Sequence, residues 1–181
     1  MSGPANSKRP IVSSAHLVSE RSAELSEFEY GLIVASHAFD RWMVRCMAAA
    51  GIGDLGPLDI LVLHSVNHRA RDKKLADICF VLNVEDSHTV SYALRKLVRA
   101  GLVAARKSGK ETLYAATEQG RSACERYRQV REDCLMAALD AFSGTTEGAE
   151  DDLNRRIGSA ADLLRAASGL YDQAARAATS L

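Results

Sequence analysis

A segment of 24 residues, from Ser87 to Lys110, carries six lysines and arginines and no aspartate or glutamate. The whole chain holds 23 basic and 23 acidic residues, so positive charge is concentrated in this segment and the acidic residues lie elsewhere. Its remaining polar side chains are mainly hydroxyls, which with the cations can donate to phosphates and to the edges of bases. A carboxylate would be repelled by a duplex, which gives its absence a physical reason. The segment therefore predicts contact with double-stranded DNA.

The basic character extends beyond this segment towards the N-terminus. Residues 69–110 hold ten basic and four acidic residues, a net charge of +6, while the remainder of the chain has a net charge of −6. An ordinary solvated helix face would mix Glu with Lys, because i,i+4 ion pairs stabilise it. A basic surface that serves only solubility is the alternative interpretation. The side chains that we expect to contact DNA are Lys73, Lys74, Ser87, His88, Thr89, Ser91, Tyr92, Arg95, Lys96, Arg106, Lys107, Ser108 and Lys110.

The hydrophobic pattern around these residues predicts short helices followed by a hairpin. The stretch "PLDILVLHSVN" starts with Pro57, a typical first residue of a helix, and its apolar residues lie on one stripe. Asp72 is expected to cap the next helix, "KKLADICFVL", and Asp86 a further helix over residues 87–100. The residues that this last helix is expected to bury are Val90, Leu94, Leu97 and Val98. The stretch "LVAARKSGKETLYAA" has apolar residues on both sides of a Ser-Gly turn, which is typical of a β-hairpin.

Long helices flank this middle part of the chain. Apolar residues recur in alternating steps of three and four over residues 25–46 and again over 153–178, which is typical of helices that pack against other helices. A weaker pattern over 127–141 predicts another helix, with Gly144 as the break after it. We therefore predict a mainly α fold class: a winged helix-turn-helix with a small β-hairpin wing, plus long N- and C-terminal helices that form a dimerisation domain.

This pattern divides the chain into four parts. We expect a disordered leader over residues 1–22 and an N-terminal dimerisation helix over residues 23–51. A winged helix-turn-helix DNA-binding domain is expected over residues 55–116, and C-terminal dimerisation helices over residues 117–181.

Composition excludes several classes of protein. The sequence contains no run of 18 apolar residues and no signal peptide, so we expect a cytoplasmic protein without a membrane span. The four cysteines are widely spaced and are expected to be reduced and mostly buried. No phosphate-binding loop, nucleophile elbow or set of catalytic residues is recognisable, so we expect neither an enzyme nor a bound cofactor.

The sequence resembles a known family, the MarR-type winged helix-turn-helix transcriptional regulators. The resemblance covers about residues 24–142 and is most specific at "SYALRKLVRAGLV" and at "TEQG" after the hairpin. It implies a homodimer held by the N- and C-terminal helices, with one recognition helix per subunit in the major groove of a pseudo-palindromic operator. The wing would enter the minor groove, although "RKSGKE" lacks the Asp-x-Arg pattern of family wings. The resemblance favours a repressor whose affinity for DNA is set by a small-molecule effector.

Two further groups of residues could bind ligands. His37, Arg41 and Trp42 lie near the place where related proteins hold small phenolic effectors, although packing and interhelical hydrogen bonds explain them as well. His64 and His68 have the i,i+4 spacing of two metal ligands on one helix face, but no carboxylate or cysteine pattern accompanies them. We therefore predict no metal site.

A helical protein-interaction module is the alternative to a DNA-binding regulator. Such a module would be dimeric and would have a winged-helix shape without binding DNA. It explains the long helices, but it leaves the acid-free segment unexplained.

Overall fold

The computed structural model describes residues 21–143 and 149–180, together with His16 and Val18. The helices are α1 (Ala23–Ala49), α2 (Pro57–Asn67), α3 (Leu75–Leu82), α4 (Ser87–Arg99), α5 (Glu118–Arg131), α6 (Ala137–Ser143) and α7 (Ala149–Ala178). The strands are β1 (Lys73–Lys74), β2 (Val103–Ser108) and β3 (Glu111–Ala116). The chain forms two compact units, residues 1–129 and 130–181. The expected leader, residues 1–22, lies almost entirely outside the described residues, and so does the break expected at Gly144.

Helix α2 is the central helix of the first unit. Pro57 occupies its first turn, where a missing N–H costs nothing, and the backbone N–H of Gly56 donates to Asp59 Oδ2 at 2.8 Å. Ile60 and Leu63 of this helix are fully buried. The side chains that complete this core from other helices include Met43, Met47, Ile78, Val90, Leu94 and Leu97. Burial of these side chains supplies the main driving force for folding of the unit.

Helix α1 divides into a buried end and an exposed middle. Met43, Cys46 and Met47, near its C-terminus, are buried in the core of the first unit. Leu32 and Phe39, which belong to the apolar pattern over residues 25–46, are exposed, as are the neighbouring Ile33 and Val34. The apolar pattern of α1 is therefore only partly accounted for by packing within the first unit.

Helices α3 and α4 form the helix-turn-helix. Helix α3 ends at Leu82, and Asn83 takes a left-handed conformation (φ 51°), which Asn tolerates better than most residues do. The expected cap of α3 by Asp72 is wrong, because the backbone N–H of Lys74 donates to Asp77 Oδ2 at 3.2 Å and Asp72 instead pairs with Arg106.

The wing is the predicted hairpin, with one additional strand. Strands β2 and β3 pair antiparallel with Ser108 opposite Glu111, so Gly109 and Lys110 form a two-residue turn. A turn of this kind requires a positive φ, which Gly109 adopts (61°). Lys73 and Lys74, which were expected at the start of a helix, form β1 instead and pair with β3, giving the sheet order β1-β3-β2. The extra strand attaches the wing to the segment in front of α3.

The start of α5 lies very close to the beginning of the wing. A Cβ added to Gly120 would lie 2.1 Å from the carbonyl oxygen of Leu102, so only glycine fits this position. Thr117 accompanies the contact: its Oγ1 donates to Gly101 O at 2.7 Å and accepts from the Gly120 N–H at 3.0 Å. The sequence "TEQG" therefore joins the wing to α5 through this close approach.

The second unit consists of the last helices. After α5 the chain makes a π-helical turn (Glu132–Met136) and continues as α6, where the sequence had predicted a single helix over 127–141. Helix α7 exposes several large apolar side chains of its own: Ile157, Leu163, Leu164 and Leu170. No helix in the described ranges of the chain is long and apolar enough to cross a membrane.

Candidate nucleic-acid interface

Helix α4 is fixed at its N-terminus by Asp86 and along one side by the core. The Asp86 carboxylate accepts a hydrogen bond from the His88 N–H at 2.9 Å, and its backbone carbonyl accepts one from Thr89 Oγ1 at 2.7 Å. This capping satisfies amide groups that a helix start leaves unpaired. The buried residues of α4 are Val90, Ala93, Leu94 and Leu97, whereas Val98, which was expected to be buried, is 37% exposed because it lies at the edge of this stripe.

The opposite side of α4 is the recognition face, defined here as His88, Ser91, Tyr92, Arg95 and Arg99. Tyr92 is 58% exposed and Ser91 is half-buried, while His88, Arg95 and Arg99 are exposed. A guanidinium nitrogen of Arg95 donates to Ser91 Oγ at 3.0 Å, one turn earlier, which holds the side chain along the helix. Because a guanidinium has five N–H donors, most of the donors of Arg95 are left for another acceptor.

Lys96 does not belong to the recognition face. Its Nζ lies 2.6 Å from Asp59 Oδ2, and the Asp59 side chain is only 10% exposed. The same carboxylate oxygen accepts from the Gly56 N–H, so Lys96 connects α4 to the start of α2. The position of Lys96 between two helices indicates a structural role rather than contact with bases.

Lys73 is also directed into the protein. Its residue is 6% exposed, and its Nζ donates to the carbonyl oxygen of His68 at 2.8 Å. Burial lowers the pKa of Lys73, and the nearby Arg71 and Arg69 lower it further. Lys73 therefore supports the segment between α2 and α3 and is not placed to reach a phosphate.

The wing carries both paired and unpaired cations. Arg106 forms an ion pair with Asp72, and Lys74 forms one with Glu111 at 2.7 Å. Lys107, Ser108 and Lys110 are exposed near the tip. Within the described part of the chain, the cations of α4 and the wing that form no ion pair are Arg95, Arg99, Lys107 and Lys110.

An open groove borders the recognition face on the side of α2. It has a volume of about 460 Å³ and mostly apolar walls. The residues that line it are Leu58, Asp59, His88, Thr89, Tyr92, Ala93 and Arg95. Sequence reasoning missed Leu58 and Asp59, because they lie about 30 residues before α4 and no local pattern connects them with it.

The other residues singled out from the sequence lie elsewhere. His37 and Arg41 are exposed on α1, and Trp42 is half-buried. His64 packs edge-on against the ring of Tyr127 with 4.7 Å between ring centroids, and His68 is exposed. In the portions of the chain that the structure describes, no cluster of three His, Cys, Asp or Glu side chains could hold a metal ion.

The cysteines differ in exposure. Cys46 and Cys124 are buried, Cys79 is half-buried and Cys134 is exposed, and all four are free thiols. Burial raises the pKa of the Cys124 thiol to about 11, so this side chain stays protonated near neutral pH.

Comparison with known proteins agrees with this geometry. A family model described as a winged helix DNA-binding domain matches residues 55–120. No curated protein matches the sequence significantly.

Several solved structures share the fold. RV1404 from Mycobacterium tuberculosis is similar with a TM-score of 0.61 at 16% identity, covering 78% of this chain and 95% of that one. MepR, a transcription regulator of the Staphylococcus aureus multidrug efflux pump MepA, is similar with a TM-score of 0.58 at 16% identity, covering 76% of this chain and 98% of that one. A MarR variant from E. coli, complexed with operator DNA, is similar with a TM-score of 0.59 at 19% identity, covering 78% of this chain and 99% of that one.

The chain therefore contains a winged helix DNA-binding domain, as the pattern of helices and hairpin predicted. Its fold is shared with the solved structures of MepR, RV1404 and the E. coli MarR variant, which is the fold that the resemblance found in the sequence implied. The matching family model is that of a DNA-binding domain, which agrees with the contact with DNA that the acid-free segment predicted.

Proposed function

We propose that this protein is a homodimeric transcriptional regulator that binds a pseudo-palindromic operator and represses transcription from it. The observation that carries the proposal is the recognition face of α4, which presents Arg95, Arg99, His88 and Tyr92 to solvent without a carboxylate. Acidic residues occur near this surface, but Asp59 is paired with Lys96 and Asp72 with Arg106. The surface that remains is complementary in charge to a duplex.

The proposal assigns different tasks to the side chains. Arg95 and Arg99 lie one turn apart on α4 and are placed to donate to base edges in the major groove. Lys107 and Lys110, near the tip of the wing, are placed to contact phosphates. Ser87, exposed in the first turn of α4, is placed to contact a phosphate through its hydroxyl. The Thr89 hydroxyl and the His88 backbone N–H of this turn already donate to Asp86.

A salt series of DNA-binding measurements tests the proposal. Fluorescence anisotropy with a random duplex should give an affinity that falls steeply with salt, because bound cations release counterions from the duplex. Selection of bound sequences from a random pool should then give two half-sites about 10 bp apart. The protein-interaction module, the alternative without DNA binding, would give no salt-sensitive affinity for any duplex.

Variants separate the two kinds of contact. Arg95→Ala should weaken binding to the selected operator by about 1–3 kcal/mol for each half-site and relax the sequence preference at one position of each half-site. Lys110→Ala should weaken binding to all sequences alike and reduce the slope of log K against log salt by about 1.8, since each of the two subunits loses one phosphate contact worth about 0.9. The matched control is Arg128→Ala, which removes an exposed arginine on α5 that is paired with Glu125. If Arg95→Ala and Lys110→Ala behave like this control, α4 and the wing are not the interface.

Repression and control by an effector need their own tests. Transcription in vitro from a promoter that overlaps the selected operator should fall when the protein is added. For the effector, thermal unfolding with phenol tests whether a small aromatic compound binds near His37, Arg41 and Trp42. A melting temperature that phenol leaves unchanged would contradict a phenolic effector.

A further inference from the structure

We propose that the groove beside the recognition face receives the C5-methyl group of a thymine, and that the protein thereby selects a T·A pair in each half-site. This inference rests on the proposed function, since it assumes that α4 enters a major groove. The groove would then recognise an apolar group of the DNA, which the charged side chains of α4 cannot do.

The walls of the groove favour an apolar occupant. Leu58, Ala93 and the exposed ring of Tyr92 supply its apolar surface. The hydroxyl of Thr89, another lining residue, is already occupied because it donates to the carbonyl oxygen of Asp86 at 2.7 Å. A polar ligand would therefore find its partners on His88 and Arg95 and not on the wall formed by Leu58, Ala93 and the ring of Tyr92.

The charges in the groove do not call for a counterion. Asp59 is the one acidic lining residue, and its carboxylate is balanced by Lys96 at 2.6 Å and by the Gly56 N–H at 2.8 Å. The carboxylate therefore has little residual attraction for a cation. An inorganic anion would meet the same carboxylate, which makes the groove a poor phosphate site.

The neighbouring side chains identify the apolar group. His88 and Arg95 line the same groove and are exposed, so they would meet base edges when α4 lies in the major groove. The major-groove edge of a base pair offers hydrogen-bond donors, acceptors and only one apolar group, the C5-methyl of thymine. A T·A pair next to the base read by Arg95 would bring that methyl group to Leu58 and Tyr92.

Replacement of thymine by uracil tests the proposal, because it removes the methyl group and leaves the hydrogen-bonding edge intact. Anisotropy titrations of the full chain should use the selected operator and duplexes with uracil at one thymine of each half-site. At one position per half-site, uracil should weaken binding about fifteenfold, since the duplex then lacks two methyl groups and burial of each contributes roughly 0.8 kcal/mol. Uracil at the other thymines should change the affinity less than twofold.

Two variants connect this effect to the groove. Leu58→Ala and Tyr92→Ala each remove part of the apolar wall, and both should bring the ratio of uracil to thymine dissociation constants close to one. Tyr92 is mostly exposed, so its variant should fold even if Leu58→Ala does not. Val81→Ala, which shortens an exposed aliphatic side chain on α3, is the matched control and should keep the wild-type ratio.

The possible outcomes are distinct. If no duplex binds at any salt concentration, the proposed function fails and this inference fails with it. If the operator binds but no uracil position weakens binding, the function stands and the groove assignment is overturned. A uracil effect that persists in both groove variants would mean that another part of the protein reads the methyl group, which also overturns the assignment. A further outcome would also overturn the assignment. If phenol stabilises the protein against heat, and Leu58→Ala abolishes this stabilisation but leaves the uracil effect unchanged, the groove holds a small aromatic molecule.

Discussion

Several individual residues have tasks that differ from those their chemical type suggests. Lys96 and Lys73 belong to the basic region of the sequence, yet one pairs with Asp59 and the other donates to a backbone carbonyl. Pairing of this kind depends on residues far along the chain, since Lys96 and Asp59 are 37 positions apart. The sequence could predict the basic surface as a whole, but it could not show which of its cations are already engaged within the protein.

His64 is a residue whose protonation should affect stability. Its Nε2 is buried without a hydrogen-bond partner, and burial lowers the pKa of its imidazole below the ordinary value of 6.5. The unfolded chain therefore binds a proton more readily than the folded one. The stabilising contribution of the neutral imidazole is fully present above pH 6.5 and is lost as the pH falls towards the lower pKa of the folded state.

We therefore expect the free energy of unfolding to fall between pH 7 and pH 5, partly because of His64. His64→Phe keeps a ring against Tyr127 and removes the titrating group, so this part of the pH dependence should disappear. Urea unfolding of both proteins at several pH values measures the pH dependence of the free energy of unfolding. His68→Gln, which changes an exposed histidine, is the control and should retain the wild-type slope. An unaltered slope in His64→Phe would show that His64 is not the group responsible.

The secondary-structure elements were the part of the fold best predicted from the sequence. Helix α4 carries a regular apolar stripe, a capping aspartate and a glycine after its end, and the structure confirms its position. Strand β1 could not be predicted, because a pair of residues is too short to show an alternating pattern. The π-helical turn after α5 was missed for a related reason, since the apolar pattern of residues 127–141 continues through it.

The junction of wing and α5 allows a test at the scale of elements. Gly120→Ala should destabilise the first unit by about 1–3 kcal/mol, because the new Cβ would lie 2.1 Å from the Leu102 carbonyl and α5 would have to move away from Leu102. Gly53→Ala is the control, since its Cβ would meet no atom within 4 Å and its φ is not positive. That change should leave stability unchanged or raise it by about 0.4–1 kcal/mol.

Thermal and urea unfolding of both variants measure the difference. Only Gly120→Ala is expected to lower the stability, whereas a general preference for glycine at both positions would make both variants less stable. Equal stability of Gly120→Ala and wild type would mean that the close approach of α5 to Leu102 is not a constraint on the fold.

At the scale of the whole molecule, the exposed apolar side chains require an explanation. The middle of α1 exposes Leu32, Ile33, Val34 and Phe39, and α7 exposes several leucines. Apolar side chains that recur with a helical period and remain exposed are typical of surfaces that another chain covers. The 3.5-residue periodicity of these helices predicted helical partners and the family resemblance implied a homodimer, so dimerisation remains part of the proposed function.

A charge placed on the exposed part of α1 should separate the two chains. Ile33 is 55% exposed, so Ile33→Glu should not disturb the core of the first unit, but it would bury a carboxylate in a dimer interface at a cost of several kcal/mol. Sedimentation equilibrium should give twice the chain mass for the wild type and a mass close to one chain for the variant. Val81→Glu makes the same chemical change on α3 and should remain dimeric. A dimer binds two half-sites about 10 bp apart, so Ile33→Glu should bind the full operator more weakly than the wild type does. Its affinity for a duplex with a single half-site should equal that of the wild type. A dimeric Ile33→Glu protein would show that α1 is not at the interface.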